Sequence, residues 1–278
     1  VICSQNFGTA VEMVFGNRPL HMKTVILCGG KGTRMKEETE YRPKPLVEIG
    51  GKPILWHIMK IYAHYGFNEF VVALGYKGEM IKDYFLKLPA HAGNFTLATR
   101  ANIITAHGNG DDDFVITFAD TGQETETGGR IQRVKPYLEN DEAFMVTYGD
   151  GVADINIPEL VAFHHTQGTI GTITGAQPHS KYGFVETDAE KNIITAFHEK
   201  PLMHDQYVNS GFMVFQQNIF DHIDDGMFEA TTLPKLARER NLSLYRHKGF
   251  WKAMDTYKEV EDLNRLWAAS KPWKVWAD

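Results

Sequence analysis

Short apolar runs alternate with amphipathic segments along most of this chain. TVILC (24–28), EFVVAL (69–74), FVITFA (114–119), AFMVTY (143–148) and TIGTIT (169–174) are rich in β-branched and aromatic residues, and continuous apolar runs of that length read as buried parallel strands. Between the first two, PILWHIMKIYAHYGF places Pro53 at a first helical position, puts Ile54, Leu55, Ile58, Met59 and Tyr62 on one face, and stops at Gly66. Those are the start and stop signals of a helix. Segments 79–88 and 156–167 repeat the pattern, so the chain is expected to form βαβ units in a doubly wound α/β sheet. From Gly129 onward Ile131, Val134 and Leu138 keep helical spacing, but Pro136 lacks an N–H donor and should kink or end that helix.

After residue 180 the pattern changes. YGFVETD and IITAFHEK alternate with period two and are joined by AEKN, which predicts a hairpin inserted on the α/β scaffold. YVNSGFMVF reads as a further strand, and 231–240 and 257–269 as helices, the second with Val260, Leu263, Leu266 and Trp267 on one stripe. No repeat or linker interrupts residues 22–278, so one domain is expected, with the hairpin region at about 180–215 and a C-terminal helical elaboration at about 216–278. Residues 1–21 precede Met22 and carry no clear period; they read as an expression remnant or an upstream extension.

Composition narrows the class without changing the fold. A 278-residue chain that is 43% hydrophobic and 23% charged is neither disordered nor of low complexity, and at this length roughly three quarters of the extended surface is buried on folding. The net charge of −6 gives no basic excess for a nucleic-acid backbone or an anionic membrane. Any phosphate site must therefore gather its cations locally. Cys3 and Cys28 make neither a disulfide framework nor a CxxC zinc site, no apolar run approaches the ~18 residues of a membrane span, and no signal-peptide pattern stands at the start. A cytoplasmic setting is the expectation.

The chemistry begins where the first strand ends. In VILCGGKGTRM, Gly29, Gly30 and Gly32 let a turning backbone bring N–H groups close to an anion, and Lys31 and Arg34 add a mobile and a bidentate cation. The loop matches neither GxxxxGK[ST] nor GxGxxG. Taken alone it reads equally well as a tight turn with solvated charges. Lys44 follows, fixed between Pro43 and Pro45. In YGDGVAD, Asp150 ends a strand between two glycines, where open α/β sheets bind ligands. The twelve histidines show no HExxH-type spacing, and Cys28 reads as a buried small residue rather than a nucleophile. Asp154 reads as a loop or helix-capping residue.

The order strand, GGKGTR, RPKP, GGKPIL, helix resembles the sugar-1-phosphate nucleotidyltransferases, and the resemblance extends from residue 22 to about 276. DTGQETETGGR (120–130), YGDGVAD, FHEKP, VNSGFMVF and GFWKAMDT are similar to the branch of that family that joins CTP to glucose 1-phosphate. The resemblance implies a Rossmann-like fold with a mixed sheet, Mg²⁺ on Asp150 and Asp255, pyrophosphate release, and homo-oligomers that supply CDP-glucose for bacterial deoxysugars and surface polysaccharide. It implies nucleotide contacts from Leu27, Cys28, Gly29, Gly30, Lys31, Gly32, Thr33, Arg34, Lys44, Thr127, Arg130, Tyr148 and Gly149. It also implies sugar-phosphate contacts from Glu199, Lys200, Asn209 and Gly211, with Arg34, Lys44, Asp150 and Asp255 as the catalytic set. Siblings that use dTTP or UTP, and a regulatory subunit without turnover, are the competing readings.

Overall fold

Seven strands form one sheet: β1 (Thr24–Cys28), β2 (Glu69–Leu74), β3 (Val115–Asp120), β4 (Ala143–Tyr148), β5 (Gly171–Ala176), β6 (Val208–Gln216) and β7 (Leu242–His247), in the order β7-β5-β6-β4-β1-β2-β3. The computed structural model describes residues 22–277 apart from 92–93, 102, 107–112, 181, 189, 191 and 204–205. β1 pairs in parallel with both β2 and β4, and β2 with β3. β6 runs antiparallel to β4 and β5, which makes the sheet mixed, as expected.

Alternation along β1 shows why the sheet is covered on both sides. Ile26 and Cys28 pack into a core with helix α1 (Ile54–His64), whereas Val25 and Leu27 pack into a second core with Ile131, Val134 and Leu138. α1 follows Pro53 directly, and the chain leaves it through Gly66 at φ 86°. All five residues of its predicted apolar face are buried. Further helices are α2 (Gly78–His91), α3 (Thr127–Val134), α4 (Ile157–Gln167), α5 (Thr232–Arg238) and α6 (Tyr257–Ala269). α3 ends at Val134, and Pro136 lies in the 3-10 turn that follows, as the missing donor requires.

One difference from the sequence reading has a plain cause: β3 is an edge strand, so its Val115 is exposed although the run looked fully buried. Asp154 lies in a loop, the first of its two expected places, and pairs with His247 at 3.0 Å, while α4 is capped by Asn156, whose side chain accepts from the Glu159 N–H. The expected hairpin is present as Phe184–Asp188 against Ile193–His198.

The C-terminal segments pack back onto earlier elements of the fold. Trp251–Ala253 pairs antiparallel with Gly151–Ala153, directly after β4. α6 carries a capping box of Thr256 and Glu259, and the Glu259 carboxylate also accepts from the Asp255 N–H at 2.6 Å. Beyond α6, Trp273 is fully buried and packs with Trp267 and His57.

Candidate active site

Leu27 and Tyr148 are register partners at the ends of parallel β1 and β4. The loops that follow both strands therefore emerge side by side at the carboxyl edge of the sheet. A cavity of about 380 Å³ opens there, lined by residues 27–30, 32–34, 44–45, 125–127, Arg130, 148–150 and Asp255. Most of the residues singled out in the sequence meet on this one surface. Pro45, Thr125 and Glu126 are additions, the last two from the quoted DTGQETETGGR run.

The loop glycines have separate reasons. A Cβ on Gly29 would fall 2.0 Å from the Arg130 guanidinium carbon, and Gly32 has φ 60° with Thr39 against it. Around Gly30 a Cβ would meet nothing within 4 Å. The loop is thus packed from below by Arg130 and open on the side facing the cavity.

Lys44 lies at the centre of the charged cluster. Its Nζ donates to Asp150 Oδ2 at 2.6 Å and Asp255 Oδ1 at 2.7 Å, and Arg34 donates to Asp255 Oδ2 at 2.9 Å. Burial by itself would lower the Lys44 pKa; the charges and hydrogen bonds of the two carboxylates outweigh it and hold the ammonium above its ordinary value. Asp150 and Asp255 meet because the strand pair Gly151–Ala153 and Trp251–Ala253 joins their neighbours, with Met254 donating to the Asp150 carbonyl at 2.8 Å. No sequence signal spans that separation; only the pairing does it.

Arg130 is 4% exposed, and its guanidinium is turned to the backbone. It donates to the carbonyls of Gly29, Leu74, Gly122 and Gln123 and to Thr121 Oγ1, at 2.7 to 3.2 Å. Burial lowers its pKa, and Arg133 adds to that. Cys28 is fully buried, and its thiol is pushed far up by burial first and Asp150 second.

Some expected contacts lie elsewhere. Lys31 pairs with Glu124 at 2.7 Å and lines a neighbouring cavity of about 300 Å³ with Thr33, Thr39, Glu40 and Tyr76. Glu199 and Lys200 pair with each other at 3.0 Å, are exposed, and do not line the main cavity. Asn209 and Gly211 stand behind it: Asn209 Nδ2 donates to the Tyr148 hydroxyl at 3.3 Å, and Gly211, at φ 90°, lies so close to the Tyr148 ring that a Cβ would clash at 2.5 Å. Glu229 is a further residue that sequence reasoning missed. Its carboxylate accepts from Thr127 Oγ1 at 2.6 Å and from the Tyr148 hydroxyl, yet it sits in FEATT, which resembles no motif.

The model of the nucleotidyl transferase family matches residues 23–268. The chain belongs to that family. It is 47% identical over 259 residues to a protein of Bacillus subtilis strain 168 named as a probable glucose-1-phosphate cytidylyltransferase, covering 92% of this chain and all of that one. It is 42% identical, with the same coverage, to the glucose-1-phosphate cytidylyltransferase of Salmonella typhi. Among solved structures it shares its fold with HddC from Yersinia pseudotuberculosis, at TM-score 0.64 and 22% identity over 88% of this chain and 98% of that one. A putative glucose-1-phosphate thymidylyltransferase from Bacillus anthracis gives TM-score 0.63 at 15% identity, over 92% and 98%. Among the described residues no helix is long and apolar enough to cross a membrane.

Proposed function

We propose that this chain transfers a cytidylyl group from CTP to glucose 1-phosphate, giving CDP-glucose and pyrophosphate. The observation that carries the reading is the Lys44 ammonium held between Asp150 and Asp255 at the mouth of a glycine loop. The full-length relatives named for this activity support the choice of CTP and glucose 1-phosphate over dTTP or UTP.

A phosphate oxygen of glucose 1-phosphate attacks the α-phosphorus of CTP, the new P–O bond forms, and the bond to the β-phosphate oxygen breaks. The nucleophile is already anionic, so no side chain has to remove a proton. The protein's task is alignment and charge stabilisation. The open side of the loop at Gly30 leaves its N–H groups accessible to the triphosphate, Arg34 balances the departing pyrophosphate, and Lys44 neutralises the α-phosphate. Two carboxylates converging on one cation suit Mg²⁺, which takes one or two carboxylates and completes its shell with phosphate oxygens and water. Asp150 and Asp255 would hold it, and when bound it supplies charge neutralisation on the phosphates. Glu199, Lys200, Asn209 and Gly211 are assigned to the sugar-phosphate side and Thr127 to the nucleotide side, where Arg130 acts by holding the carbonyls of the loops around it.

The same reading includes a cytoplasmic setting and a homo-oligomer, and light scattering on the purified protein tests the second. Pyrophosphate release with glucose 1-phosphate and each of CTP, dTTP and UTP tests the reaction. CTP should give the highest kcat/KM, and equal use of dTTP would overturn the assignment.

A further inference from the structure

Glu229 sets the direction of every proton around it. An ionised carboxylate only accepts, so Thr127 and Tyr148 both spend their hydroxyl protons on it. The two hydroxyl oxygens are themselves engaged: Thr127 Oγ1 accepts from the Phe228 N–H at 2.9 Å and Tyr148 from Asn209 Nδ2 at 3.3 Å. A threonine oxygen has two lone pairs, so Thr127, which lines the cavity, retains one acceptor site and no donor. Its place is fixed as well. The Gly226 carbonyl accepts from the Gly128 N–H at 2.9 Å, and a Cβ at Gly128 would fall 2.6 Å from that carbonyl.

We propose that Glu229 is a specificity-determining residue that holds Thr127 as a hydrogen-bond acceptor facing the cleft, so that the substrate group seated there must be a donor. This rests on the reaction proposed above. Three kinds of donor in those substrates fit: the exocyclic amino group of cytosine, which uracil replaces with a carbonyl acceptor, a ribose hydroxyl of CTP, and a hydroxyl of glucose. Glu229→Gln would keep the shape but place a donating NH₂ against one hydroxyl, which must then reverse and offer its own proton elsewhere. Thr127→Val removes the acceptor and leaves Glu229 in place.

The test measures three ratios for wild type, Glu229→Gln and Thr127→Val: kcat/KM for CTP over UTP, for CTP over its 2′-deoxy and 3′-deoxy analogues, and for glucose 1-phosphate over its monofluoro analogues, in which fluorine replaces a hydroxyl donor. A fall of roughly tenfold or more in the first ratio in both variants assigns the cytosine amino group, in the second a ribose hydroxyl, and in the third a sugar hydroxyl. If all three ratios stay within about twofold of wild type, Glu229 only supports the fold and the proposal is overturned. Thermal melting of each variant identifies loss of folded protein, and Thr127→Val carries the test if Glu229→Gln does not fold. A wild-type enzyme without preference for CTP would instead overturn the reaction assignment itself.

Discussion

The Lys44 ammonium is within 2.7 Å of two carboxylates that stand 106 and 211 positions further along the chain. Its pKa is raised, so it remains a cation at any working pH and is poised to move from carboxylate to phosphate. Lys44→Ala should lower kcat by about 10²–10³, the effect of losing one donor aimed at developing charge, and Lys44→Arg should recover only part of it; steady-state pyrophosphate release measures both. Arg130 has the opposite task, because its donors are spent on carbonyls from the loops after β1 and β3 and from the end of β2. Arg130→Met would leave those carbonyls unpaired and cost about 3 kcal/mol, and at roughly 2–4 °C per kcal/mol for a chain of this size the melting temperature should fall by about 10 °C. A loss under about 1 kcal/mol would show that the loops hold together without it. Cys28 should resist thiol reagents in a Cys3→Ser background until the protein unfolds, as titration with a chromogenic disulfide would read out.

At the scale of elements, α1 and α4 each bury a histidine against the sheet. His57 in α1 donates from Nε2 to the Ile49 carbonyl, and His164 in α4 bonds Thr172 of β5. Burial holds both neutral, with pKa values lowered from 6.5 to about 4. Above pH 6.5 neither the folded nor the unfolded chain binds a proton there, so these groups leave stability unchanged. As pH falls from 6.5 toward 4 the unfolded chain takes up protons that the folded chain refuses. Stability therefore declines over that window, by up to about 3 kcal/mol for each histidine. Urea unfolding between pH 8 and 5 should show the decline, and His57→Gln should flatten its part of it. A profile flat down to pH 5 would contradict the burial argument.

The same elements show what the sequence makes legible. β1, β2, β4 and α1 are read from periodicity because a strand buried on both faces or a helix with one apolar stripe leaves a local mark. The edge strand β7 and the short pair Gly151–Ala153 with Trp251–Ala253 leave none, since partly exposed or three-residue strands depend on their partner more than on their own residues. The site divides along the same line. The glycine loop and Asp150 announce themselves at strand ends, and Asp255 was named only through resemblance. Glu229 matters solely for the two hydroxyls that tertiary packing delivers to it.

For the whole molecule, the last described segment and α1 stabilise one another. Trp273, beyond α6, packs on Phe250 and Trp267 and donates from its indole to His57 Nδ1 in α1. Trp273→Ala should cost about 3–5 kcal/mol, as other large aromatic deletions from a core do, and the loss should appear as one cooperative transition because α1 and β1 share that core. An unchanged melting curve would mean that the C-terminal segment is only draped on the surface.

That aromatic cluster also decides how the protein emits light. Four of its five tryptophans, Trp56, Trp267, Trp273 and Trp276, lie with ring centres 5.5 to 6.2 Å from one another in successive pairs, and the His57 ring is 4.5 Å from Trp267. Excitation absorbed by any of the four is shared among them, and protonated imidazole quenches indole. Intrinsic fluorescence is therefore a gauge of the α1–α6 seam and of the charge on His57. The fifth, Trp251, donates to the Ser210 carbonyl and lies beside Gly151, the residue after Asp150, so it reports on that part of the fold instead.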